Sequence, residues 1–249
     1  MAGHSQFANI KHRKNAQDVK RAKIFTKITR EIITAVKQGG EDPDGNPRLR
    51  TAMLAARFAN IPKDRVEAAI TRANSTNEGD NYEEMRYEGY GPAGVAFIVE
   101  ALTDNRNRTA SDVRSAFTKY NGSLGETGSV SFIFEKKGLL EFSSLKVSED
   151  QFLEAALEAG AEDIEVFEDK FIAYTAADEL AMVRNKLATN YGDPEAAKIT
   201  FLPLTFTDID DIEVAEKLMK FIDILEDLDD VQNVIGNFRF SDQVMGALK

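Results

Sequence analysis

Cysteine and tryptophan are absent from the 249 residues, and histidine occurs only at His4 and His12. Without cysteine there is no disulfide framework, no thiolate metal site and no cysteine nucleophile. Because both histidines sit near the start, a Ser-His-Asp triad or a histidine-rich metal site would have to be built on a terminal arm. Long apolar runs are missing as well. The opening MAGHSQFANIKHRK has no signal-peptide h-region, and no later stretch approaches the roughly 18 apolar residues of a membrane helix. These absences predict a soluble cytoplasmic protein with no membrane partner, no metal and no cofactor. The length suits two or three domains.

Charge is plentiful but unevenly spread. Residues 1–75 carry 15 Lys+Arg against 7 Asp+Glu, a net of +8, and the rest of the chain is −19, giving −11 in all. A basic front end on an acidic chain points to nucleic acid or another anionic partner. Docking of that basic end on the protein's own acidic part is the alternative, and charge alone leaves both open.

Periodicity predicts three helices in the basic region. Between Ala16 and Gln38, Ile24, Phe25, Ile28, Ile32, Ala35 and Val36 recur on one side, with Lys20, Lys23, Lys27 and Arg30 nearly opposite. Gly39-Gly40 ends this helix, and Asn46-Pro47 reads as an N-cap with proline at the first helical position. A second helix then runs to about Asn60 over Leu49, Ala52, Met53 and Ala56. Pro62 opens a third, with Val66, Ala69, Ile70 and Ala73 inside.

After Glu84 the pattern turns to strands, with MRYEGYG and VAFIVEAL joined at a Gly-Pro turn. A helix over 107–120 follows, with Thr109 and Asp112 spaced as a capping box, and then a strand at Val130–Phe134. From 138 to 205 the order is βαββαβ, the ferredoxin-like arrangement, its first helix starting at a Ser148/Gln151 capping box. A helix near 211–228 and a strand near 231–240 complete the earlier sheet. The expected fold is therefore α+β. An N-terminal three-helix domain (1–80) precedes two ferredoxin-like α/β domains, a central one (81–137 plus 206–249) and a third (138–205) inserted into it.

Several motifs dissolve on inspection. Gly89, Gly91 and Gly94 match G-x-G-x-x-G, but a strand follows where a phosphate-binding helix is required. Gly122, Gly125 and Gly128 lack the Lys-Ser/Thr ending of a P-loop. Asp42, Asp44 and Asn46 imitate the start of a calcium loop whose turn glycine is replaced by Pro47. The acidic runs at 158–169 and 226–230 read as solvated faces. No nucleophile–base pair suggests an enzyme.

Two constellations remain. The stronger is Lys11, His12, Arg13, Lys14, Lys20, Arg21, Lys23, Lys27 and Arg30, dense enough to neutralise several phosphates. Asn9, Asn15 and Gln17 add polar groups, and Phe7 offers a ring to stack on a base. The weaker is Asp104-Asn-Arg-Asn-Arg108, between a strand and a helix start, where Arg106 and Arg108 would hold a phosphate. The nucleic-acid-binding set is thus the basic arm and first helix, with Arg106 and Arg108 as a second contact.

The same residues carry a resemblance. AGHSQFANIKHRK, AQDVKRAKIFTK, GGEDPDGNPRLR, IPKDRVEAAI, LTDNRNRTASDVRSAF and GETGSVSFIFEKKG are similar to the opening and central signatures of the YebC/PmpR family. The resemblance implies a cytoplasmic protein with a helical N-terminal domain and two α/β domains. It implies a DNA-binding regulator of transcription, or alternatively a ribosome-associated, RNA-binding factor of translation. The chain departs from the pattern in places: Gln6-Phe7 stands for the usual Lys-Trp, and Ala22, Ala93 and Asn121 stand for usual glycines.

Overall fold

The computed structural model describes residues 17–75, 81–144 and 147–248, excepting the side chains of residues 17–21. The basic region forms three helices: α1 (Gln17–Gly39), α2 (Pro47–Phe58) and α3 (Lys63–Ala73). Asn46 caps α2 as its sequence suggests. Its Oδ1 accepts from the Leu49 amide at 3.1 Å, while its Nδ2 donates to the carbonyls of Ala35 and Gly40 at 2.7 and 2.8 Å. One buried asparagine thus ties the start of α2 to the end of α1. The core of the bundle is Ile32, Ile33, Ala35 and Val36 against Leu49, Ala52, Ala56, Ala69 and Ala73. Residues 32–36 of α1 are all buried, whereas Ile24, expected inside, is 46% exposed. A surface helix buries one face, so unbroken burial over five residues means that α1 is covered on more than one side.

The central unit begins with a hairpin, β1 (Glu83–Tyr90) and β2 (Ala96–Thr103), turned by a short 3₁₀ segment at Pro92–Gly94. Helix α4 (Arg106–Lys119) and the two-residue strand β3 (Ser123–Leu124) follow. The helix is capped by Asn105, whose side chain accepts from the Arg108 amide at 3.0 Å. This corrects the expected Thr109/Asp112 box, because Thr109 is buried and committed elsewhere. The strand expected at Val130–Phe134 is instead a 3₁₀ turn over Ser131–Ile133. The buried Glu88 accepts from the amides of Val130 and Ser131 at 3.0 and 2.9 Å and so holds that backbone out of a ladder.

Strand β4 (Phe134–Ser143) then leaves for the inserted unit, whose order is βαββαβ as expected. It continues through α5 (Glu149–Ala159), β5 (Asp163–Val166), β6 (Lys170–Ala176), α6 (Leu180–Tyr191) and β7 (Ala196–Pro203). Ser148 does precede α5, without a side-chain capping bond. The sheet order is β5-β6-β4-β7, antiparallel throughout, the ferredoxin-like arrangement. Its core centres on Phe142, Phe152 and Phe171, with the last two rings stacked at 4.5 Å.

Entry and exit of this insertion lie side by side, with Phe134 paired to Pro203. The chain returns through β8 (Thr207–Ile209), α7 (Ile212–Asp227), β9 (Val231–Gly236), β10 (Phe238–Phe240) and α8 (Asp242–Ala247). Strand β9 closes the central sheet, ordered β3-β1-β2-β9, while β8 and β10 form a parallel pair. Phe97 of the sheet meets Phe117 of α4 and Phe221 of α7 edge to face, so both helices share one core.

Candidate nucleic-acid interface

The described part of the basic stripe faces protein. Lys23 donates to Asp227 at its Oδ1 (2.8 Å) and its carbonyl (3.1 Å), and Lys27 donates to the Glu226 carbonyl at 3.0 Å. Both acceptors end α7, where carbonyls lack intrahelical partners and the helix dipole favours cations. One turn further along, Arg30 donates to the Asp229 carbonyl at 2.5 Å and to Asp230 Oδ1 at 2.7 Å. Its guanidinium also lies over the Tyr82 ring, 5.4 Å from the centroid.

Asp230 is the hub. Its carboxylate accepts from Arg30, from Arg108 at 2.8 Å, and from the hydroxyls of Thr109 at 2.6 Å and Thr103 at 3.2 Å, while only 5% exposed. Burial pushes its pKa up, but the hydrogen bonds from Thr109 and Arg108 and the charge of Arg30 outweigh that and hold it below its ordinary value. Arg108 also binds Asp104 at 2.7 Å. A second bridge ties the bundle to the hairpin: Arg48 of α2 reaches Glu31 of α1 at 2.6 Å and also Glu84 of β1.

The sequence-predicted residues therefore divide. Lys23, Lys27, Arg30 and Arg108 converge on the segment 226–230. The expectation that this run is a solvated face is corrected: Asp227 and Asp230 receive the basic helix, and the self-docking alternative describes this half of the stripe. Arg106 stands apart, exposed, with Glu83 at 3.6 Å. Lys20 and Arg21 lie on the backbone of α1, outward along the helix from these contacts, with side chains outside the described residues. Lys11, His12, Arg13 and Lys14, like Phe7, lie outside the described residues.

Sequence reasoning missed Asp230, because its partners are 122 and 200 positions away. A faint signal did exist: a run of acids directly after an amphipathic helix is where a cationic helix finds both charge and unpaired carbonyls. Among the described residues no cluster of His, Asp and Glu is arranged to hold a metal ion, and no helix is long and apolar enough to cross a membrane.

An all-helical basic bundle clamped by ion pairs onto the first of two α/β units defines a multidomain protein whose distinguishing chemistry is cationic. The chain belongs to the TACO1/YebC family. The model of the family's N-terminal domain matches residues 5–76, and that of its second and third domains matches residues 82–238. It is 53% identical to a probable transcriptional regulatory protein of Rickettsia bellii, over all of this chain and 97% of that one. A probable transcriptional regulatory protein of Rickettsia felis is 54% identical over 98% of this chain and 97% of its own. The crystal structure of a conserved hypothetical protein, Aq1575, from Aquifex aeolicus superposes with a TM-score of 0.86 at 47% identity, covering 94% of this chain and 96% of that one. The names of the relatives indicate a regulatory protein rather than an enzyme.

Proposed function

We propose that this protein is a cytoplasmic, nucleic-acid-binding regulator of transcription that grips phosphates with its N-terminal segment. The observation that carries the reading is the +8 charge of residues 1–75 on a chain of −11, joined to end-to-end similarity with relatives named as transcriptional regulators. The primary contacts are Lys11, His12, Arg13, Lys14, Lys20 and Arg21. Lys23, Lys27 and Arg30 join only if α1 lifts from α7, and Arg106 is the auxiliary cation. With about five phosphates neutralised, affinity for duplex DNA falls with salt on a log–log slope of roughly −4. Charge reversal of Lys11, Arg13 and Lys14 abolishes that binding without unfolding the chain. A salt-independent affinity, or a reversed arm that binds like wild type, overturns the assignment.

A second reading, recognition of ribosomal or other structured RNA in translation, draws support from one feature. Lys23 and Lys27 of α1 are turned onto the end of α7, and Arg30 onto the segment just after it, so this part of the basic stripe is not presented to a major groove. Phosphate contacts position a protein and carry little base information. Selection from a random duplex pool separates the readings. A preferred operator bound about 10³-fold above random sequence supports promoter recognition, and a flat pool supports RNA.

A further inference from the structure

Lys23, Lys27 and Arg30 on the docked side of α1 are each matched by a carboxylate or a helix-end carbonyl. The opposite situation holds in a cleft of about 640 Å³ between the bundle and the inserted unit. Its walls are one side of α2 and the start of α3, facing Arg184 of α6 and Asp193 just beyond that helix across the gap. Four cations line it, Arg50, Arg57, Lys63 and Arg184, against a single carboxylate, Asp193. Arg184 donates to Asp193 at 2.8 Å, with its own side chain 15% exposed. Arg50 donates to the carbonyls of Pro43 and Asp44 at 3.0 and 2.8 Å, which orient the guanidinium without cancelling its charge. Lys63 has the exposed Glu67 at 3.3 Å, a pair that water screens. Arg57 is exposed and makes no side-chain hydrogen bond or ion pair among the described residues. Beneath these groups the floor is apolar: Met53, Leu54, Ile61 and Val66.

We propose that this cleft takes one unpaired nucleotide of a single-stranded nucleic-acid segment, its base on the Met53–Val66 floor and its phosphates on Arg57 and Lys63, with Arg50 and Arg184 behind. An excess of cations on a chain of net −11 selects an anion and concentrates it locally. The floor selects against a bare inorganic anion, which has no apolar surface to bury. A duplex hides its base faces in the stack, so only an unpaired base uses floor and cations together. The volume lies in the range of sites that enclose a small organic group. This inference rests on the nucleic-acid reading above and adds a second contact, on the other side of α2 from the docked stripe.

The test uses the full chain, a short fluorescein-labelled oligouridylate and a mixed-sequence duplex of equal length, read by anisotropy at low salt. R57E/K63E alters two exposed side chains that support no packing, and its thermal midpoint serves as the folding check. The expected result is a loss of about tenfold or more in oligouridylate affinity with duplex affinity unchanged, while reversal of Lys11, Arg13 and Lys14 weakens both. In the wild type, a photocrosslink from a 4-thiouridine in the same oligomer is expected on the peptides containing Met53 or Ile61. Oligouridylate binding to R57E/K63E at wild-type strength, or a crosslink elsewhere, overturns the cleft and leaves the nucleic-acid reading standing. Protection of the cleft by free uridine monophosphate but not by the oligomer overturns the strand in favour of a soluble nucleotide. A wild-type chain that binds neither polymer overturns both.

Discussion

Ala93 and Asn121 occupy left-handed backbone, with φ of 58° and 59°. The family resemblance places glycine at both positions, and the geometry says why: without a Cβ that conformation costs nothing, and with one it costs about 1–2 kcal/mol. Asparagine tolerates it better than alanine does. Ala93→Gly is therefore expected to stabilise the protein by about 0.5–1 kcal/mol, after allowing for the freer unfolded chain, and Asn121→Gly to be nearly neutral. Urea midpoints of the two variants check this, and equal shifts would contradict it. Asp230 gives the residue scale its pH dependence. Its pKa lies lower in the fold than in the unfolded chain, so the unfolded chain takes up the proton more readily. The stability it confers is complete above the unfolded value of about 4 and is lost as pH falls through the lower folded value. Replacing it by alanine strands Arg30, whose side chain is 15% exposed, and is expected to cost about 3 kcal/mol at neutral pH. The acid limb of the stability profile should shrink with it, which urea titrations at pH 3 to 7 would show.

At the scale of the element, α1 is held by unequal bonds. The Arg30–Asp230 pair is nearly buried, while Asp227 opposite Lys23 is 64% exposed. Double-mutant cycles should therefore give a coupling of about 2 kcal/mol or more for the first and under about 1 kcal/mol for the second. Similar couplings for both would mean that α1 is held as a rigid whole and not by its Arg30 end. The helices and the βαββαβ unit were legible in the sequence because each shows its apolar period locally. The misreadings share one cause. Thr109 looks like half of a capping box until Asp230 claims its hydroxyl, and Val130–Phe134 looks like a strand until Glu88 takes its amides. Which cations of α1 face protein was illegible for the same reason, since the acids that receive them lie about 200 residues away. The cleft arginines were open to a reader willing to notice Arg50 and Arg57 seven positions apart on one helix face, but their partner wall on α6 was not.

At the scale of the molecule, the inserted unit has its own four-stranded sheet and its own core. Residues 134–203 are expected to fold as an isolated fragment, with a cooperative urea transition and antiparallel circular dichroism. A non-cooperative transition would show instead that Phe134 and Phe201, which pack with Ala96, Ile98 and Ile235 of the central sheet, are needed to hold it together.

The paired stem at Phe134 and Pro203 also fixes a calendar for the nascent chain. Strand β2 ends at Thr103, and its permanent neighbour β9 begins only at Val231. At translation rates of about 5–20 residues per second, roughly 6–25 s pass between the two. Through that interval one edge of the apolar strand β2, AFIVEALT, waits unpaired while a complete domain is made and folded between the two halves of the central unit. An open edge of that kind invites pairing with another chain, so slow elongation or stalling within codons 104–230 should expose this protein to aggregation more than the same delay after β9 has emerged.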